Sequence, residues 1–368
     1  MIKYIGSKRT LLPVILDAVR SASDNTPCTV LDLFSGTSRV GHALKRAGYR
    51  VISNDHNAYA VTLARCYVQA DAEDVLEDAA KLINELNARL RSGWSEPGYF
   101  THTFCERARF VQPKNGARID AVREAIAAKH LDAELESVLL VSLMEAADRV
   151  DSTTGLQMAY LKDWAPRSFR DLELRLPDVL PRAVAGKGRA LQLDALDAAA
   201  CTEADIAYID PPYNQHSYLG NYHVWESLIR WDKPEVYGVA CKRLDVKQRQ
   251  SVFNSRPKFA DAFDRLLNTV RARTIIVSFN DEGYLPRERL ESILGELWDG
   301  AAHVSVIEND FKRYIGAQIG IYNPQGEKVG KVSHVRNTEF VYVARRPIRD
   351  QEPPCVIKPP AAPASATL

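Results

Sequence analysis

The stretch Ala207-Tyr208-Ile209-Asp210-Pro211-Pro212-Tyr213-Asn214 decides how the rest of the 368-residue chain is read. Apolar residues of strand-like character run into an acid and then two prolines, which can join neither a ladder nor a helix. The strand therefore ends at Asp210. Such an ending sets a carboxylate, a rigid backbone carbonyl and a flat ring at the carboxyl edge of a sheet, where open α/β folds place their ligands. Those groups suit a flat amine. An ordinary strand with a proline turn would share the pattern, so a second ligand site elsewhere in the chain has to decide.

Upstream, Thr29-Val30-Leu31-Asp32-Leu33-Phe34-Ser35-Gly36-Thr37-Ser38-Arg39-Val40-Gly41 is a buried-strand run passing into a small-residue turn and then a helix. Gly36 lets the backbone pass close to a ligand, and Asp32 stands at the strand's end, where it can meet a positively polarised group. Gly48 to Asp55 reads as a second strand ending in an acid, about 20 residues after the loop. That is the spacing at which a βαβ unit puts a carboxylate on a ribose hydroxyl pair. Before both, Lys3-Tyr4-Ile5-Gly6-Ser7-Lys8-Arg9-Thr10 leads into an amphipathic helix, Leu11 to Val19, with Pro13 in its first turn. A Gly-Ser step feeding a helix start can wrap an anionic or zwitterionic ligand, with Lys8 reaching a carboxylate. Nearer the signature, Ala190 to Leu196 is a short strand with Asp194 near its end.

Downstream, the run from Asn214 through Tyr218, Asn221, Tyr222 and His223 to Glu226 is dense in aromatic and amide groups. Such a run is poor core material and good base-handling material, because rings stack on bases while amides and imidazoles hydrogen-bond them. Lys242 to Lys258 then holds six basic residues (Lys242, Arg243, Lys247, Arg249, Arg256, Lys258) against the single acid Asp245. After an aromatic substrate loop, phosphate contact is the better reading of such a run, with Lys247, Arg249 and Arg256 as candidates. Strands follow at Thr274–Asn280, His303–Glu308 and Asn337–Ala344, with a basic, glycine-containing loop about Lys312-Arg313-Tyr314 between the last two.

The Asp-Pro-Pro-Tyr tetrapeptide resembles the signature of amino-methyltransferases. The Asp-Leu-Phe-Ser-Gly-Thr loop, the N-terminal aromatic-x-Gly-x-Lys run and the Asn-x-x-x-Tyr-x-x-Asn-Tyr-His segment are similar to the Dam-like class of N6-adenine DNA methyltransferases. The resemblance covers nearly all of Lys3 to Arg346, with little family signal in the middle. It implies an α/β fold: a Rossmann-like S-adenosylmethionine-dependent methyltransferase sheet with a helical insertion. It further implies a donor site of Tyr4, Gly6, Ser7, Lys8, Asp32, Phe34, Gly36, Thr37, Asp55 and Asp194. Asp194 reads equally as a plain strand-end aspartate. The catalytic group would be Asp210, Pro211, Pro212 and Tyr213, and Asn214, Tyr218, Asn221, Tyr222 and His223 would handle DNA. One departure stands out: Ser38 occupies the place of the usual second glycine, so an altered donor affinity is expected. Double-stranded DNA is the implied substrate, with room for a cognate restriction endonuclease as partner and a monomer as the working unit. Methylation of the cytosine amine, of adenine in RNA, and a catalytically inactive DNA-binding relative stay open as alternatives.

The chain is expected to divide into a catalytic domain at 1–56 and 188–346, a helical insertion at 57–187 and a disordered Pro/Ala-rich tail at 347–368. Helices are read at Ala79–Leu90, Ala117–Lys129 and Ala133–Val150, with loops at Pro113-Lys114-Asn115-Gly116, Asp151–Gly155 and Leu161–Arg167. Basic and aromatic residues on such loops suit DNA contact or a solvated surface equally. Composition is that of an ordinary globular protein, 46% hydrophobic and 26% charged, and its net charge of +1 does not speak for or against nucleic acid. The six cysteines are scattered, which indicates neither zinc nor a disulfide framework. No apolar run approaches the roughly 20 residues of a membrane span, and Met1-Ile2-Lys3-Tyr4 lacks the apolar core of a signal peptide, so the cytoplasm is expected.

Overall fold

The computed structural model describes residues 1–213, 217–312 and 336–347. Asn214, the basic loop expected about Lys312-Arg313-Tyr314 and the tail beyond Pro347 lie outside those residues, apart from the backbone of Lys312. Seven strands form one sheet: β1 Thr29–Asp32, β2 Arg50–Asn54, β3 Arg189–Leu191, β4 Ile206–Ile209, β5 Thr274–Asn280, β6 His303–Lys312 and β7 Arg336–Arg345. In space they run β3-β2-β1-β4-β5-β7-β6. The first five are parallel, and β7 lies antiparallel to both β5 and β6.

The central strands carry apolar residues on both of their faces because both faces are covered. Leu31, Ile52, Ala207, Ile209, Ile275 and Val277 meet one layer, which includes Phe259, Phe263, Leu290 and Leu294 from helices α10 (Arg256–Thr269) and α11 (Arg287–Gly295). Val30, Val51, Ile206, Tyr208 and Ile276 alternate with them. They meet Ile15, Val19, Val40 and Leu44 from α1 (Leu12–Ala22) and α2 (Arg39–Arg46). The period-two alternation of the strands thus feeds two cores.

Between β2 and β3 the named elements of the described chain are all helical, among them α3 (Ala58–Ala64), α4 (Ala72–Arg91), α5 (Pro113–Ala128) and α6 (Ala133–Arg149), and an irregular stretch with isolated bridges leads from α6 to β3. Helix α6 begins where Asp132 accepts from the Glu134 and Leu135 amides at 3.0 and 3.1 Å, a side-chain cap. The expected loop Pro113-Lys114-Asn115-Gly116 is instead the first turn of α5. Proline tolerates that position because its missing N–H would have no helical partner there. Gly116 is packed so closely that an added Cβ would stand 2.5 Å from Cys105 Sγ. The helical core is continuous with Tyr222, Trp225 and Leu228 on α8 (Tyr218–Asn221), α9 (His223–Arg230) and their joint, so these helices share a core with the segment after the signature.

Candidate active site

A cavity opens at the carboxyl ends of β1, β2 and β4. Its walls include Tyr4, Gly6, Ser7, Lys8, Asp32, Phe34, Gly36, Thr37, Asp55, Asp194, Asp210, Pro212 and Tyr218. The chain therefore brings the whole proposed donor set together with the first acid of the signature. Pro211 and Tyr213 stand beside it without lining it. The Tyr213 ring leans on Phe279 at 5.0 Å between centroids, and its hydroxyl accepts from Asn280 Nδ2 at 3.3 Å.

The β1–α2 loop makes the floor. Gly36 has a φ of +50°, which an L side chain seldom adopts, and an added Cβ would touch the Tyr4 ring at 3.4 Å. Its amide donates to Asp55 Oδ2 at 3.1 Å, while Asp55 Oδ1 accepts from the Asn57 amide at 2.9 Å. Asn54 ties this floor to the opposite wall, donating to the Leu33 and Leu193 carbonyls at 3.2 Å each. Asp194 caps α7 (Ala195–Cys201) by accepting from the Leu196 amide at 2.9 Å, and it faces the cavity as well.

Asp32 is the unusual group. It is 1% exposed, yet neither carboxylate oxygen has a hydrogen-bond partner among the described residues. Burial, then the charges of Asp210 and Asp55, push its carboxyl up to about 8. Ser35 Oγ and Asn57 Oδ1 are likewise buried without partners. Polar atoms of this kind are costly unless something meets them, and a ligand with cationic and hydroxyl groups would fit.

The roof comes from the N-terminal segment. Tyr4 stacks on Tyr218 and Tyr222 at 5.3 and 4.5 Å, and the Ile5 amide donates to the Tyr222 hydroxyl at 2.7 Å. Gly6, with a φ of +71°, passes so near that a Cβ would sit 3.1 Å from the Tyr218 hydroxyl. Lys3 pins the segment to the end of α6, donating to the Asp148 carbonyl at 2.7 Å and to Asp151 at 2.9 Å. Asp151 also takes Arg167 at 2.7 Å, so the two expected polar loops close on each other.

Several residues are placed otherwise than their types suggested. Lys8 does not stand free for a ligand carboxylate: its ammonium lies 3.1 Å from Asp210 Oδ1 and 3.0 Å from Glu339 Oε2. Desolvation opposes its charge, but Asp210, foremost among its neighbours, holds the proton well above the ordinary lysine range. Asp210 is itself pushed up to about 6, by burial against the pull of Lys8. Asn221, Tyr222 and His223 are 3%, 1% and 0% exposed, so they hold the loop together from within and do not face a duplex. The His223 ring bonds the Ala240 carbonyl at 2.8 Å, and burial lowers it to about 4, which keeps it neutral.

The basic run splits in the same way. Arg243 is buried between Asp232 and Asp245, at 2.7 and 3.0 Å. Arg249 lies 2.9 Å from the fully buried Glu226, an ion pair without hydrogen-bond geometry. Each guanidinium spends its charge on an internal carboxylate. Lys247, Arg256 and Lys258 are exposed. Ser38 has a φ of 57°, is fully buried and does not line the cavity, so its position gives no support to the expected change in donor affinity. Glu339, Asn54 and Asn57 also build the site, and of these only Glu339, an acid inside an apolar strand, leaves a trace in the sequence.

A sheet of this order, with its seventh strand reversed and its cavity over the β1–α2 loop, has the architecture of the Rossmann-like methyltransferases. Residues 4–292 match the family described as D12 class N6 adenine-specific DNA methyltransferase, and the chain belongs to that family. It is 32% identical over 305 residues to the type II methyltransferase M.FokI of Planomicrobium okeanokoites, covering 79% of this chain and 46% of that protein. With the modification methylase StsI of Streptococcus sanguinis it shares 31% over 366 residues, 94% of this chain and 52% of the other. With the type II methyltransferase M.NlaIII of Neisseria lactamica it shares 27% over 350 residues, 92% and 97%. The chain thus spans about half the length of the first two and nearly all of the third. No helix among the described residues is long and apolar enough to cross a membrane.

Proposed function

We propose that this chain transfers a methyl group from S-adenosylmethionine to the exocyclic amine of adenine in a specific DNA sequence, with the target base flipped out of the duplex. The observation that carries this reading is a shared cavity in which the Asp210 edge of β4 faces the β1–α2 loop and Asp32, whose carboxylate has no partner among the described residues. The orphaned carboxylate would meet a cationic group of the donor, and Asp55, which accepts from the Gly36 amide at the cavity floor, would take a ribose hydroxyl pair. When bound, the donor supplies an electrophilic methyl: the amine lone pair forms the new N–C bond, the S–C pair stays on sulfur, and the nitrogen then gives up a proton.

This chain's part is positioning. An aromatic amine is a poor nucleophile because its lone pair is spread into the ring. Hydrogen bonds from the amine to Asp210 and to the Pro211 carbonyl would turn that lone pair toward the methyl, and Asp210 would take the departing proton. Tyr213 would stack on the flipped base and offset part of an unstacking cost of a few kcal/mol. Lys247, Arg256 and Lys258 are the cations left for phosphates. By analogy with the named relatives, a cognate restriction endonuclease is the expected partner, acting with a monomer in the cytoplasm.

The test is to incubate the chain with methyl-labelled donor and duplex DNA and digest the product to nucleosides. Label on the adenine N6 is expected. Label on the cytosine amine would move the reading to the other base, and no label with intact donor binding would make the chain an inactive relative.

A further inference from the structure

Lys8, Asp210 and Glu339 come from the N-terminal segment, the end of β4 and the reversed strand β7, and their side chains are 7%, 20% and 10% exposed. An ammonium here has two carboxylates within 3.1 Å. If the task were only to neutralise Asp210, one lysine and one acid would serve. We propose that Glu339 is a positioning residue for methyl transfer: it holds Lys8 and cancels its charge, so that Asp210 meets the substrate amine as part of a unit of net charge −1.

The reasoning rests on the proposed reaction, in which positive charge moves from sulfur to the amine nitrogen as the methyl crosses. A Lys8–Asp210 pair alone is neutral and offers that nitrogen little. With Glu339 added, two negative charges stand against one positive, and the excess lies beside the atom where cationic character develops. A preorganised charge in a water-poor site is worth far more than the same charge in solvent. Geometry supports the division of labour. Lys8 lies on Asp210 Oδ1, and no hydrogen bond from another described residue reaches Oδ2, while Glu339 Oε2 and the Tyr213 ring, 5.7 Å from Nζ, fix the ammonium from other sides.

The other titratable groups around the triad are Tyr208 on β4 itself, Asp32 at the end of the neighbouring β1, Tyr213 of the signature and Tyr218 at the start of α8. The tyrosines stay neutral, because burial first of all raises each hydroxyl. Asp32 is protonated near neutrality in the donor-free protein. Glu339 is therefore the acid that sets the balance, and it acts on Asp210 in the direction that raises its carboxyl.

The experiment compares Glu339→Gln and Glu339→Asp with the wild type. Carbon-13 carboxyl-labelled aspartate, with the Asp210 signal assigned by its loss in Asp210→Asn, gives the titration of Asp210 in donor-free protein. Single-turnover transfer to duplex DNA against pH gives the rate. In Glu339→Gln, Asp210 should titrate about one pH unit lower, the acidic limb of the rate profile should move with it, and the plateau rate should fall roughly tenfold or more. Glu339→Asp keeps the charge and should keep the wild-type limb. Unchanged titration and rate in Glu339→Gln, or a rate loss in both variants with the titration unmoved, overturns the proposal in favour of a packing role. If wild type transfers no methyl to DNA, the proposed function fails, while the titration of Asp210 still decides the charge coupling.

Discussion

Replacing Asp32 by asparagine should change the pH dependence of stability more than any other substitution in the cavity. The side chain is 1% exposed, has no partner for either oxygen among the described residues and carries a carboxyl pushed from 3.8 up to about 8. A carboxyl raised on folding binds more protons in the native than in the unfolded state between those two values, so stability falls as pH rises through that window. The slope is about 1.4 kcal/mol per pH unit for one group. From pH 4 to 7 the ceiling is about 4 kcal/mol, reduced in practice by relaxation and water entry. The asparagine variant cannot ionise. It should melt close to wild type at pH 5, above it at pH 8, and lose most of the stabilisation that S-adenosylmethionine gives the wild type, since the cationic partner would find no charge. Wild-type donor affinity should rise with pH between 6 and 8 for the same reason. Thermal melts at a series of pH values, with and without donor, read all of this. A variant whose melting temperature tracks the wild type at every pH would refute the assignment of Asp32 as a buried carboxylate awaiting a cation.

Asp210→Ala should abolish transfer while donor affinity by calorimetry stays within a few-fold; a comparable loss of donor binding would make Asp210 a donor-pocket residue. Asp55→Ala should weaken the donor by about 1.5–3 kcal/mol and also loosen the loop it holds at Gly36, which hydrogen exchange of that amide would detect. Ser38→Gly relieves a left-handed serine, worth roughly 1–2 kcal/mol, and a buried partnerless hydroxyl, against about 0.5–1 kcal/mol of added chain entropy. It should therefore raise the melting temperature with donor affinity unchanged, and a drop in stability would contradict this. Neutralising Lys247, Arg256 and Lys258 should flatten the slope of log affinity against log salt by roughly 0.9 per lost phosphate contact on duplex DNA. Arg249→Gln should leave that slope alone and lower stability, because it strips the partner of buried Glu226.

The strands around the cavity were readable because they are buried on both faces and end in acids or prolines: Asp32, Asp55 and Asp210 were placed by that logic, and all three line one cavity. The helices between β2 and β3 are legible from their apolar spacing, but Pro113 reads as a loop in the sequence because proline and glycine signal turns unless their position within a helix is known. The errors elsewhere share a cause. Residue type says what His223, Tyr222 or Arg249 can bond, and not whether the partner is a base or another part of the chain. That depends on which surfaces end up inside. Lys8 shows it most clearly: a free cation in the sequence, it is claimed in the fold by an acid 331 residues away.

That distance has a consequence for when the chain can act. Closing a loop of 331 residues between Lys8 and Glu339 costs chain entropy that local contacts do not, so the pair gains most when the intervening sheet already holds its two ends together. On a ribosome the first strand and its loop emerge well before β7 exists, so a nascent or truncated chain holds a donor loop with an incomplete charge triad. Methylation should switch on only with the whole sheet. Cutting the chain within the helical region, for instance at the turn about Gly93 that closes α4, should give two silent fragments that regain transfer when co-expressed, a reporter of assembly in which the chemistry itself is the signal.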